Sequence, residues 1–307
     1  MIALLAPGQG SQTPGMLSPW LELPGTADQL ASWSEISDLD LVALGTTATA
    51  EEITDTAVTQ PLVVAATLLA YAELSKRRNG PLGEDVIVAG HSVGEIAAYA
   101  IAGVISPDDA VMLAATRGRE MAKACALEPT GMAAVLGGDE AEVLARLEQL
   151  DLIPANRNAA GQIVAAGPLT ALDKLAEDPP AKARVRKLAT AGAFHTQFMA
   201  PALEAYSAAA QRIAATTGIS EPTATLLSNR DGQPVASAAV AMDHLVSQLT
   251  RPVRWDLCTD TLRARGATTI IEFPPAGTLA GIAKRELRGT PAHAVKSPAD
   301  LDGLPQL

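Results

Sequence analysis

A serine flanked by glycines, Gly90-His91-Ser92-Val93-Gly94, follows an apolar run and precedes a helix-forming stretch. This G-x-S-x-G pattern is that of a nucleophile elbow. Small neighbours let the chain turn sharply from strand to helix, and the hydroxyl stands at the helix N-terminus, where the Val93 amide and the helix dipole face a developing oxyanion. The plainer alternative is a glycine-rich turn with an incidental serine. A serine hydroxyl is a weak nucleophile until a base takes its proton, and the chain holds four histidines. His91 adjoins Ser92, so its side chain leaves in another direction. His244 falls on an expected helix and His293 near the end. His195, in Gly192-Ala193-Phe194-His195-Thr196, sits on a glycine-started loop of the kind that carries catalytic bases, although a lone loop histidine can also be merely exposed. No acid stands out as a third member. A backbone carbonyl or side-chain amide can hold the tautomer instead, and Gln248 is a candidate.

Two further groups bear on the same chemistry. Gly8-Gln9-Gly10-Ser11-Gln12 is not a dinucleotide fingerprint, because Thr13 stands where G-x-G-x-x-G requires glycine. Beside an elbow, such a loop can bring a second amide, that of Gln9, to the oxyanion. Arg117 lies on an expected helix of small apolar residues. It is either a snorkelling surface residue or a guanidinium fork aimed into a cleft to bind a carboxylate. Arg119 lies about 200° round the helix from it, so both cannot face the cleft.

The elements that must hold these groups follow from the pattern of apolar runs. Ile2–Ala6 and Val86–Ala89 are expected buried strands, each running into a glycine loop. Thr59-Gln60-Pro61 is expected to open a helix, with Pro in the first turn. Helices are also expected over 95–102, closed by Gly103, and from Pro107 to about Lys123. Strand, loop and helix alternating in this way imply a mostly parallel sheet covered by helices. Between about 125 and 190 the texture changes. Strands at 132–136, 153–158, 162–166 and 184–189, with helices at 140–150 and 169–177, give the order βαββαβ of a ferredoxin-like subdomain. The expected organisation is therefore an α/β core of residues 1–124 and 191–307 with an inserted subdomain at 125–190. The segment from about Ser297 is expected to be a loosely held tail.

Composition restricts the partners. Hydrophobic residues make up 48% of the 307, which suffices for a substantial core, and a net charge of −11 disfavours nucleic acid and anionic membranes. Two distant cysteines make no disulfide framework, and the histidines have no metal-ligand spacing. The start lacks the basic region and long apolar stretch of a signal peptide. No apolar run approaches the roughly 18 residues of a membrane span. A soluble, cytoplasmic protein is expected.

Taken together, Gly8-Gln9-Gly10-Ser11-Gln12, Gly90-His91-Ser92-Val93-Gly94-Glu95, Arg117 and Phe194-His195 resemble the bacterial malonyl-CoA:acyl carrier protein transacylases of fatty acid synthesis. Thr59-Gln60-Pro61, Asn156-Arg157-Asn158, Ser228-Asn229 and Gln248 through Trp255 extend the resemblance over essentially the whole chain. It implies an α/β-hydrolase-like core with a ferredoxin-like insert, Ser92 as the acylated nucleophile and His195 as base. It also implies that Gln9 and Val93 form the oxyanion hole, that Arg117 binds the malonyl carboxylate, and that Gln248 orients His195 through its main-chain carbonyl. Phe194 corresponds to the malonyl-selecting form, and Gln60 and Asn158 line the cleft. The implied reaction is ping-pong, from malonyl-CoA to the phosphopantetheine thiol of acyl carrier protein, by a monomer needing no metal or redox cofactor. An acidic carrier would dock on a local basic patch; Arg184, Arg186 and Lys187, or Lys284, Arg285 and Arg288, are candidates, although Lys76-Arg77-Arg78 shows that basic clusters occur freely. The rival readings are a serine esterase or thioesterase with the same elbow, and a non-catalytic acyl-CoA or carrier-protein binding module.

Overall fold

The computed structural model describes residues 1–77, 82–83 and 85–305; Arg78 of the basic cluster lies outside them. Among the described residues, ten strands form two five-stranded sheets. They are β1 (Ile2–Ala6), β2 (Val86–Gly90), β3 (Thr130–Gly137), β4 (Ile153–Ala159), β5 (Gln162–Pro168), β6 (Ala183–Lys187), β7 (Thr225–Leu226), β8 (Val253–Arg254), β9 (Thr269–Glu272) and β10 (Ala292–Ala294). The first sheet has the order β10-β9-β1-β2-β7 with every neighbouring pair parallel. Its two central strands are apolar throughout because both faces are covered. Leu4, Ala6, Val86 and Val88 point into the larger core with the helices Thr56–Lys76 and Pro107–Cys125. Ala3, Leu5, Ile87 and Ala89 point the other way, into a core with Trp255, Leu262, Leu279 and Ile282 from the helices Trp255–Ala264 and Thr278–Glu286.

The second sheet has the order β6-β3-β5-β4-β8. Its first four strands are mutually antiparallel in the ferredoxin-like arrangement, and the helices Glu140–Gln149 and Leu169–Glu177 share with them a core of Ala133, Val135, Val143, Leu147, Leu172 and Leu175. The fifth strand, β8, comes from far along the chain and pairs parallel to β4 at Asn156↔Val253 and Arg157↔Arg254, so the expected four-strand unit gains a strand from outside.

Two further expectations are corrected. Pro61 lies inside its helix, which begins at Thr56 under the Asp55 cap: Asp55 accepts the Ala57 amide at 2.8 Å, so the start is fixed a turn earlier than proline suggested. That helix is also long and apolar enough, by composition, to cross a membrane, yet 72% of its apolar window is buried inside the fold. The end is not a loose tail. After β10, Val295 and Leu301 are buried, Ser297 and Asp300 form a capping box, and Asp302 pairs with Arg77.

Close approach between the two long helices depends on one glycine. A Cβ on Gly118 would stand 2.7 Å from the Thr56 carbonyl oxygen. The contact lets the helix Pro107–Cys125 press against Thr56–Lys76 and sets Arg117 beside Gln60.

Candidate active site

β1 and β2 end side by side, and the loops leaving their C-terminal ends carry Gln9 and Ser92, the position at which open parallel sheets build their sites. Ser92 has φ +54, the left-handed region that non-glycine residues rarely enter. The flanking glycines make that turn possible. A Cβ on Gly90 would lie 2.2 Å from the Gly94 carbonyl, and one on Gly94 would lie 2.2 Å from the Ala6 carbonyl oxygen. The helix Gly94–Ile101 is thus pressed against the end of β1, and the Ser92 hydroxyl projects from a turn with no room to relax. Asn229 locks the same turn: its Oδ1 accepts the Ser92 amide at 2.8 Å and its Nδ2 donates to the Gly90 carbonyl at 2.7 Å. Among the described residues, the amides of Gln9 and Val93 meet no protein acceptor.

His195 is buried, not an exposed loop histidine, and its Nε2 lies 2.7 Å from Ser92 Oγ. It too is left-handed, with φ +61. Its loop is pinned by Ala193, whose amide donates to Thr130 Oγ1 at 3.1 Å, and by Thr196, whose hydroxyl donates to the Ala193 carbonyl at 2.6 Å. Nδ1 lies 2.8 Å from the main-chain oxygen of Gln248. A carbonyl only accepts, so the proton sits on Nδ1 and Nε2 is left to accept from the serine hydroxyl. Burial, assisted by the charge of Arg117, pushes the His195 pKa down to about 3, so the ring is neutral at physiological pH.

Arg117 is 1% exposed, whereas the Arg119 side chain is 51% exposed and pairs with Glu120, so the helix turns one arginine inward and the other out. The inward guanidinium donates to Gln60 Oε1 at 2.8 Å and to Gln248 Oε1 at 2.9 Å, and its Nη2 lies 3.5 Å from Ser92 Oγ. Its Nε is buried with no partner, and among the described residues it pairs with no carboxylate. Burial pulls its pKa down from the usual arginine range.

Ser92, His195, Arg117, Gln60 and Gln248 therefore meet in one cluster, with Phe194 buried next to the base. Asn158 is placed differently. Its Oδ1 meets His91 Nε2 at 2.9 Å, and the His91 ring stands edge-on to Trp255 at 5.6 Å between centroids, so Asn158 supports the elbow from the second sheet. A cavity of about 200 Å³ beside it, lined by Arg157, Asp256 and Arg263 among others, does not reach Ser92 or Arg117. His244 is on a helix, as expected, with Nδ1 at 3.1 Å from Ser228 Oγ, and His293 is on β10; neither approaches Ser92. Reading the sequence missed the structural parts played by Asn229 and Glu95. For Glu95 a signal existed: it is the one charged residue of the helix Gly94–Ile101, and it is buried.

The acyl transferase domain family model matches residues 4–299. The chain is 78% identical, over all 307 residues of both chains, to the malonyl CoA-acyl carrier protein transacylase of Mycobacterium tuberculosis. It belongs to this family. The Escherichia coli member is 31% identical over 304 residues, covering 97% of this chain and 96% of its own. Among solved transacylases, the Mycobacterium tuberculosis structure superposes with a TM-score of 0.94 at 76% identity, covering 98% of each chain. A malonyl-transacylase solved in complex with a type II polyketide acyl-carrier protein superposes with a TM-score of 0.90 at 28% identity, covering 98% of this chain and 97% of that one. The chain is thus an acyltransferase of the transacylase family, and no group of three or more potential metal ligands occurs among its described residues.

Proposed function

We propose that this chain moves a malonyl group from malonyl-CoA to the phosphopantetheine thiol of an acyl carrier protein, with Ser92 carrying the group between them. His195 Nε2 takes the Ser92 proton as Oγ attacks the thioester carbon, and the amides of Gln9 and Val93 receive the oxyanion. The carbon–sulfur bond breaks, and His195 returns the proton to the departing coenzyme A thiolate. The carrier thiol then gives its proton to His195 and attacks the malonyl-serine ester; Ser92 leaves and is reprotonated. Gln248 holds the tautomer of His195 through its main-chain oxygen, Phe194 narrows the acyl pocket in favour of malonyl, and Gln60 steadies Arg117. The cycle uses only protons and acyl groups, with no metal or redox cofactor, in a cytoplasmic monomer. Segment 125–190 is read as an inserted subdomain, supported by the core its own strands and helices share.

The observation that carries this reading is Arg117: a buried guanidinium 3.5 Å from the nucleophile, with an unpartnered Nε and no carboxylate. Burying a substrate carboxylate unpaired would cost several kcal/mol. A bidentate guanidinium offsets that cost, and the same buried cation is left unmatched by acetyl-CoA. For the carrier, Arg184 and Arg186 are exposed on the edge strand β6 with no acidic partner within 4 Å among the described residues, whereas Lys187 pairs with Asp173. Lys284, Arg285 and Arg288 are likewise exposed with no acidic partner among the described residues, so both basic groups are candidates for docking an acidic partner.

Intact-mass measurement tests the cycle. Malonyl-CoA should add one malonyl group, carrier protein should remove it and gain it, and Ser92→Ala should show no adduct. Discharge to free malonate at the same rate without carrier would favour the hydrolase reading, and failure to acylate would favour a binding module. Arg117→Ala should cost about 2–5 kcal/mol of malonyl transfer with acetyl transfer unchanged or improved.

A further inference from the structure

Glu95 is the second residue of the helix that follows the elbow, is 1% exposed, and lies outside the proton-transfer cycle. Its two oxygens have separate duties. Oε1 accepts the main-chain amide of Asn229, the residue that holds the Ser92 turn, and Oε2 accepts Nε2 of Gln248. That same Gln248 nitrogen reaches the Ser92 carbonyl at 3.1 Å, while Gln248 Oε1 accepts from Arg117 at 2.9 Å.

We propose that Glu95 is a positioning residue for acyl transfer, whose carboxylate fixes the Gln248 side-chain amide and through it presents Arg117 to the substrate carboxylate. The argument is one of donor and acceptor inventory. An ionised carboxylate only accepts and a guanidinium only donates. An amide placed between them has one satisfying orientation, nitrogen toward Glu95 and oxygen toward Arg117. Reversing it would set N–H against N–H at one end and oxygen against oxygen at the other.

The arrangement also solves an electrostatic conflict. A buried guanidinium is costly without a compensating negative charge, yet a carboxylate bonded directly to Arg117 would occupy the donors that a substrate carboxylate requires. Interposing the neutral Gln248 amide places the compensating charge near Arg117 but out of its fork. The unpartnered Nε is consistent with a fork left partly free. Both Glu95 oxygens face N–H donors, as a carboxylate requires. Burial raises its pKa to about 8 against the pull of those donors and of Arg117, so the bracing charge forms as pH rises through that value and the malonyl preference should rise with it. Gln248 in addition supplies the main-chain oxygen for His195, so one residue ties base and clamp together and Glu95 braces it.

The inference rests on the role proposed for Arg117, and the experiment separates the two. The ratio of kcat/KM for malonyl-CoA over acetyl-CoA is measured in the wild type, Glu95→Gln, Arg117→Ala and the double variant, with the thermal midpoint of each. Glu95→Gln preserves shape but offers an amide to an amide, so the Gln248 orientation is no longer imposed. A tenfold or greater fall in the ratio is expected in Glu95→Gln, with little further change on adding it to Arg117→Ala. An unchanged ratio, or equal loss for both substrates, overturns the proposal and assigns Glu95 to the fold alone. The same loss in the Arg117→Ala background as in the wild type also overturns it. If Arg117→Ala itself leaves the ratio unchanged, the clamp reading fails, and this inference with it. Should Glu95→Gln not fold, the exchange Glu95→Gln with Gln248→Glu restores the hydrogen-bonding pair but puts a carboxylate directly on Arg117. That variant is expected to fold and still to have a ratio at least tenfold reduced; a wild-type ratio there overturns the proposal.

Discussion

In the parallel sheet, β1 and β2 are covered on both faces and end in the loops of Gln9 and Ser92, whereas in the second sheet the edge strand β6 runs along the outside with Arg184, Arg186 and Lys187 exposed. The contrast extends to their glycines. Gly90 and Gly94 are required because backbone from another turn occupies the place a Cβ would take. Gly161, in the hairpin joining β4 and β5, has φ +68 but its nearest neighbour would be 3.5 Å away. At the elbow glycine crowds backbones round the Ser92 hydroxyl, whereas at Gly161 it turns a corner; the second sheet supports the elbow through Asn158.

Substitutions in the two regions should therefore differ in kind. The largest effect is expected from Gly94→Ala, whose Cβ meets the Ala6 carbonyl oxygen at 2.2 Å. Backbone at that distance cannot yield without opening the contact between β1 and the elbow helix, so acylation should be lost together with several degrees of melting temperature, read by intact mass and calorimetry. Wild-type acylation in this variant would show that the crowding is not needed. His195→Ala comes next, with acylation slowed about 10²- to 10⁴-fold, the usual range for a lost general base. In the wild type, because the folded pKa of His195 is depressed to about 3, the neutral base persists well below the ordinary histidine range. The acid limb of kcat/KM for acetyl-CoA, which reports the free enzyme without the carboxylate clamp, should accordingly lie below about pH 5; a limb near the ordinary histidine value of about 6.5 would contradict the burial argument.

Asn158→Ala removes the hydrogen bond that ties the second sheet to His91 of the elbow, and should slow acylation by about two- to tenfold, the equivalent of about 0.5–1.5 kcal/mol. A loss as large as that of His195→Ala would place the second sheet in the chemistry. The smallest effect is expected for Gly161→Ala, about 1–2 kcal/mol of stability from the left-handed backbone, with acylation kinetics unchanged. A change in kinetics there would erase the distinction between the two regions.

What could be read from the chain follows the same division. β1, β2, the elbow and β3 to β6 were legible because each is a run of apolar or alternating residues bounded by turn-forming residues. The meeting of Ser92, His195 and Arg117 was legible because a serine on an elbow, a loop histidine and an arginine among small apolar residues are distinctive types at distinctive points. β7 and β8, two residues each, carry no periodicity at all, and exist because a neighbouring strand offers an edge. Pro61 misled because proline is most familiar in a first turn, while the Asp55 cap lies a turn earlier. The Asn229–Glu95–Gln248 network joins residues up to 153 positions apart, and such spacing leaves no local trace.

The placement of β1 has a consequence for how the molecule is made. Its first neighbour, β2, pairs from Val86, but its other neighbour, β9, begins at Thr269, so one edge of β1 stays open until the segment from Thr269 has followed it out of the ribosome. Contacts of such separation form slowly, and an apolar strand with one unpaired side invites pairing with another chain. A nascent or prematurely terminated polypeptide ending before β9 would hold the complete G-x-S-x-G elbow and the histidine loop, yet would present the bare flank of β1 to its neighbours. Synthesis of β9 is thus what closes the exposed edge of β1.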